Sequence, residues 1–146
     1  MRQTKNPEWV IRRPNTSKIT PKGYARYLDP VKFSTLSKHD GTVVCTHCRL
    51  ATSPFVRMKG LLGRAGLEPG EGMLFRPAGS IHMFFMRFSL DAIFCDRDLV
   101  VIDVERGLRP WRTASRKGAK VVIEVADGAA RDVAAGDRLV LGTIDA

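Results

Sequence analysis

The chain has 146 residues, 44% of them hydrophobic, and a formal net charge of +9. That length suits one compact domain with a core of its own, and three cysteines are too few, and odd in number, for a disulfide scaffold. No apolar run approaches the roughly 20 residues of a membrane span, and none near the N-terminus has the form of a secretory signal, so the expected location is cytoplasmic.

The charge is unevenly spread. Residues 1–40 hold nine Lys/Arg against three Asp/Glu, whereas residues 41–146 hold fifteen against twelve. Pro7, Pro14, Pro21 and Pro30 break any helical or strand pattern in the first forty residues. The expected organisation is therefore a basic, loosely ordered extension over 1–40 and a single mainly-β domain over 41–146. Trp9, Tyr24, Tyr27 and Phe33 interleave aromatics with the extension's cations, the pattern of a nucleic-acid or acidic-partner arm. A solvated basic face is the simpler reading.

Asp40-Gly41 is a turn dipeptide, and Thr42–Ala51 with its β-branched valines reads as the first strand. Thr52-Ser53-Pro54 is a helix-start signal. The following PFVRMKGLLGR puts Phe55, Met58, Leu61 and Leu62 on one face, which predicts a short helix over about 54–63. From there the apolar runs shorten to strand length. Strands are predicted at Gly72–Arg76, Ser80–Met86, Asp91–Cys95, Leu99–Glu105, Lys120–Ala126 and Arg138–Gly142, separated by Gly-, Pro- and Asp-rich breaks. Short strands with regular turn signals and one helix predict a compact β-sandwich or partly open barrel.

Five blocks in order, RMKGLLGR, LEPGEGMLF, SIHMFFMRFSLDAIFCDRD, LRPW and AAGDRL, resemble the family catalogued as domain of unknown function 192, over about residues 43–142. The family's aromatic-Met pair and Leu-Asp pair are matched by Phe85-Met86 and Leu90-Asp91. Ser89 stands where many members have Pro, and Val125-Ala126-Asp127-Gly128 where many have Leu-Pro-Ala-Gly. The resemblance implies a compact, mainly β domain and brings no established activity, substrate or cofactor.

Several residues invite chemistry. Cys45 and Cys48 form a CxxC, yet on a regular strand their spacing places them on opposite faces with no further ligands nearby, so no metal is expected. His82 lies within an aromatic strand, and Glu71 sits in a Gly-Glu-Gly turn where backbone can approach closely. Asp91, bracketed by Phe88, Leu90, Ile93 and Phe94, needs a cation or several backbone donors if it is buried; Arg64, ahead of Arg87, is the expected partner. Arg109 and Trp111, in the run LRPWR, combine residue types common in binding hot spots. Glu124 reads as part of a solvated strand face. No nucleophile motif, phosphate loop or dinucleotide fingerprint occurs, and no cofactor is expected.

Two classes of function follow. The first is a non-catalytic module holding a small polar ligand or a partner's segment in a cleft near Glu71, His82 and Asp91, with Arg64, Arg109 and Trp111 contributing. The second is an enzyme using Glu71 or Asp91 with His82 as acid–base groups, which requires the three to converge on one substrate position. A weaker third assigns nucleic-acid binding to residues 1–40.

Overall fold

The computed structural model describes residues 33–51 and 62–143. Among the described residues there are nine strands: β1 (Phe33–Lys38), β2 (Val43–Ala51), β3 (Glu71–Phe75), β4 (Ser80–His82), β5 (Leu90–Cys95), β6 (Val101–Leu108), β7 (Thr113–Ser115), β8 (Val121–Ala126) and β9 (Leu139–Thr143). Seven form one sheet in the order β6-β5-β8-β3-β2-β1-β9, and β4 and β7 pair separately as a two-stranded sheet. Of these described strands only the neighbours β2 and β3 pair in parallel, across the connection that holds residues 52–70.

The large sheet curls until its two ends meet. Val100, just before β6, bridges Arg138, just before β9. Around that bridge Val101 N–H donates to Asp137 O and Leu139 N–H to Leu99 O. The result is the partly open barrel expected from the strand pattern, with no helix among the described residues. The predicted helix lies mostly within 52–61, outside the described residues; Leu62 and Gly63 form a turn.

Alternation along the strands divides the core in two. Val121, Ile123 and Val125 of β8 face the barrel interior with Leu36, Cys48, Leu74 and Ile93. Val122 faces the other way, with Met73, Ala92 and Phe94, onto a second core closed by Ile81 and Met83 of the small sheet's side. β5 lies between both cores, and all six of its residues are buried. A strand buried on both faces reads as a continuous apolar run, as LDAIFC nearly does.

Three elements depart from the sequence reading. β1 begins before the expected boundary at Asp40-Gly41: Phe33–Lys38, assigned to the basic extension, pairs with both β2 and β9. Leu36 is completely buried there, and Lys38 reaches Asp137 at 3.2 Å, tying the strand to the β8–β9 loop. The strand predicted over Ser80–Met86 stops at His82, because Phe84 and Phe85 form a turn. β7 occupies part of the stretch read as a break between Gly107 and Gly118.

Candidate functional site

Asp91 is enclosed by the fold. Between Leu90 and Ala92 of β5, the facing β6 uses one extra residue, a β-bulge at Arg106-Gly107, with Gly107 at φ +60. The bulge takes the Gly107 N–H out of the ladder, and it donates to Asp91 Oδ1 at 2.9 Å. Oδ2 accepts from Gly128 and Ala130 N–H, both at 3.0 Å. The carboxylate thus caps three backbone donors and anchors the β8–β9 loop. Arg106 holds the same loop from its carbonyl side, donating to Ala130 O at 3.2 Å and to Val133 O.

The expected Arg64 partnership with Asp91 is not formed. Arg64 Nη2 lies 2.6 Å from Glu71 Oε2, which also accepts from Glu68 N–H. That backbone bond, together with Arg64, holds the Glu71 carboxyl below its ordinary pKa. Nearby, Thr46 and His47 N–H both donate to Gly70 O, the signature of a bulge in β2. The bulge corrects the expectation for the cysteines. Leu36 pairs with Cys45 and Ser34 with Cys48, so two residues of β1 span three of β2, and both thiols turn inward. Both cysteines are free thiols, and a hydrogen bond from Cys48 to Cys45 lowers the pKa of Cys45 and raises that of Cys48, while Cys45 Sγ–H donates to Gly70 O at 3.1 Å.

A cleft of about 550 Å³ opens between Val43, Leu67 and Gly70 on one side and Ser89, Gly128 and Asp132 on another. Glu71 and Asp91 support its walls through their neighbours without lining it. His82 belongs elsewhere, on the outer side of the small sheet.

The loops beside that sheet hold two of the three non-glycine residues at positive φ among the described residues; the third, Leu99 at +61, is buried in the barrel core. Met86 N–H donates to Met83 O, closing a β-turn with Phe85 at its third position; Arg112 N–H donates to Arg109 O, closing another with Trp111 there. Both third-position residues have positive φ, +63 for Phe85 and +67 for Trp111. Glycine or asparagine is the rule at such a position, and a bulky residue there costs of order 1–3 kcal/mol. Neither ring recovers that cost by burial, since Phe85 is 72% and Trp111 59% exposed.

The turns are locked together. Trp111 N–H donates to Met83 O and Met83 N–H to Arg112 O, both at 2.8 Å. The Phe85 and Trp111 ring centroids lie 4.9 Å apart, Phe84 stands 6.2 Å from Trp111, and His82 stacks on Phe84 at 5.1 Å. Along the strands Ile81 and Ala114 face the core. Their alternates Ser80, His82, Thr113 and Ser115 are exposed and stand opposite one another in register.

Charge is concentrated on the same segments. Residues 76–89 and 108–120 contain seven Lys/Arg and no Asp/Glu, while the remainder of 41–146 contains eight and twelve. Arg116 is committed to Asp103 and Glu105. The other six, Arg76, Arg87, Arg109, Arg112, Lys117 and Lys120, are exposed and make no salt bridge among the described residues.

Glu124 corrects another expectation. It is 8% exposed, on the face toward the second core, because that core extends over the strand side read as solvated. Burial pushes its carboxyl up to about pKa 8. Among the described residues no group of three His, Cys, Asp or Glu side chains could hold a metal ion.

Known proteins bear on the fold. A UPF0127 protein of Thermococcus sibiricus (strain DSM 12597 / MM 739) is 37% identical over 101 residues, covering 64% of this chain and 63% of the relative. One from Pyrococcus abyssi (strain GE5 / Orsay) is 44% identical over 64 residues, 39% of this chain and 54% of the relative. The chain therefore matches less than two thirds of the length of either. A crystal structure of a protein of unknown function from Novosphingobium aromaticivorans DSM 12444 superposes with TM-score 0.64 at 25% identity, covering 75% of this chain and 84% of that one. A Sinorhizobium meliloti 1021 structure has the same fold, with TM-score 0.63 at 24% identity, covering 75% and 92%. The family model for domain of unknown function 192, described as an uncharacterized ACR, matches residues 35–141, and the chain belongs to that family.

Proposed function

We propose that this domain is a non-catalytic binding module whose recognition surface is the outer side of the small sheet, and that its partner is anionic. The observation that carries this reading is the pair of strained turns, which hold Phe85 and Trp111 in solvent at positive φ. Strain kept where it serves no packing points to a use for the presented rings. His82, Arg109 and Trp111 belong to this surface; Glu71, Arg64 and Asp91 act as scaffold. The acid–base alternative lacks support, because Asp91 is enclosed with three donors and Glu71 is held by Arg64, away from any shared position with His82.

Retention of the full chain on immobilised heparin tests the charged half of this reading. Arg109→Glu with Arg112→Glu should lower the eluting salt clearly more than Arg131→Glu with Arg138→Glu. Equal losses would mean that only net charge matters, and the assignment to this surface would fall. The cleft supports a second reading as a small-ligand pocket, since about 550 Å³ lies within the usual range for such sites. A thermal-shift ligand screen in which Ala129→Phe abolishes a hit would support it.

A further inference from the structure

We infer that the partner of this surface is single-stranded nucleic acid. This rests on the binding-module reading above and adds to it the chemistry of the ligand. Two features of the ligand can be read from the protein. It must offer flat apolar faces to Phe85 and Trp111, and it must carry repeated negative charge.

The rings speak first. Phe84, Phe85 and Trp111 are each more than two fifths exposed, and they meet one another at tilts of 38° and 59°. Tilted contact leaves ring faces open to solvent. Unpaired bases stack on such faces without sequence preference, whereas bases within a duplex are already stacked on one another.

The cations speak second, through their placement. Arg87, Arg109 and Arg112 accompany the rings at one end of the small sheet. Ala78 N–H bonds Lys120 O and Arg116 N–H bonds Gly79 O, which sets the backbone of Lys117 and Lys120 beside Ala78-Gly79 at the other end, two residues from Arg76, whose guanidinium donates to Arg97 O at 3.5 Å. Between the ends the exposed strand residues are Ser80, His82, Thr113 and Ser115, all of them able to hydrogen-bond phosphate or sugar, and the nearby carboxylates of Asp103 and Glu105 are neutralised by Arg116. From Arg112 to Lys117, across β7 and into the turn that follows it, the track runs at most about 16 Å at ~3.3 Å per residue, room for a few phosphates. A loop that dips into a lipid surface needs cations only around its apolar tip. Here they recur at the far end of the strands, beyond Ser80 and Ser115, so a polyanionic chain is the better fit.

The test is fluorescence anisotropy with a labelled 12-nucleotide single strand and the full-length protein, alongside a duplex of the same sequence and phosphatidylglycerol vesicles at matched salt. Single-strand binding should exceed duplex binding at least tenfold. Phe85→Ala and Trp111→Ala should each weaken it about tenfold, with thermal melts confirming that the variants fold. Arg109→Ala and Arg112→Ala should each reduce the slope of log affinity against log salt by about 0.7. In a Trp9→Phe background the remaining tryptophan, Trp111, should be quenched on binding. Equal single-strand and duplex affinity, or indifference to both ring variants, would overturn the inference. Binding to vesicles alone, lost in Trp111→Ala, would overturn it while leaving the recognition surface intact. Binding to neither probe, with heparin retention unaffected by the Arg109 and Arg112 changes, would remove both proposals.

Discussion

The barrel and the small sheet treat irregular backbone in opposite ways. In the barrel, positive φ falls on glycines, among them Gly107 and Gly128, whose N–H groups find the Asp91 carboxylate, and on Leu99 at +61, whose side chain is buried in the core. In the small sheet, positive φ falls on Phe85 and Trp111, whose rings stand in water. One region meets its irregular backbone with a carboxylate or with burial. The other keeps a strain that glycine would relieve. The contrast separates residues that hold the fold from residues that the fold holds out.

The barrel side should break most completely when β1 is removed. Deleting residues 1–38 takes out a strand bonded on both edges, and we expect the cooperative unfolding transition to disappear. Deleting residues 1–32 spares β1 and should preserve the transition. A cooperative melt from the longer deletion would show that the sheet closes without β1.

Asp91→Ala comes next. Three backbone donors lose their acceptor, at roughly 1–3 kcal/mol each less what entering water restores, so a cost of about 3–5 kcal/mol is expected. Arg64→Ala should cost under about 1 kcal/mol, as an exposed pair does. The two losses should add in the double variant, because the residues share no bond. Equilibrium unfolding in denaturant measures all three, and strong coupling would restore Arg64 as the partner.

Glu124 sharpens the comparison through pH. Its carboxyl ionises near 4.5 in the unfolded chain and near 8 in the folded one. Between those values the folded state binds more protons, so stability falls as pH rises from about 4.5 to about 8. Glu124→Gln should flatten that slope and leave the protein more stable than wild type at pH 8. A thermal melt series across pH 4–9 checks it, and an unchanged slope would assign the pH dependence to another group.

The smallest effects belong to the small sheet, and their sign carries the information. Trp111→Gly and Phe85→Gly should leave stability unchanged or raise it by up to about 1 kcal/mol, since relief of positive φ offsets the entropy of glycine. A loss well above 1 kcal/mol from either would mean that the exposed rings support the fold, and the contrast would collapse.

The sequence announces some of this and hides the rest for identifiable reasons. Asp91 was legible as a buried carboxylate, because nothing apolar about its neighbours would tolerate it otherwise. Its partners were not, since backbone donors 16, 37 and 39 residues away carry no side-chain signature. The two-residue period that sends Cys45 and Cys48 to opposite faces is sound for a regular strand, and the bulge at Thr46-His47 cancels it. Glu124 in VVIEV looked solvated because the layer that buries it comes from distant strands. β1 is hidden by composition, its fully buried Leu36 lying close behind a stretch broken by prolines and rich in cations. Arg109 and Trp111 were singled out by residue type alone. The positive φ that sets Trp111 apart leaves no trace in LRPWR beyond a proline suited to the turn's second position.

Met83 both receives a hydrogen bond from Trp111 and gives one to Arg112, and that reciprocity has a kinetic side. The two turns cannot reorient separately without breaking both bonds, so their backbones move together. A ligand meets them already ordered, with little conformational freedom left to surrender on contact. Weakening the clasp, with both apices left in place, should therefore lengthen the search for a productive encounter before it shortens the life of the complex.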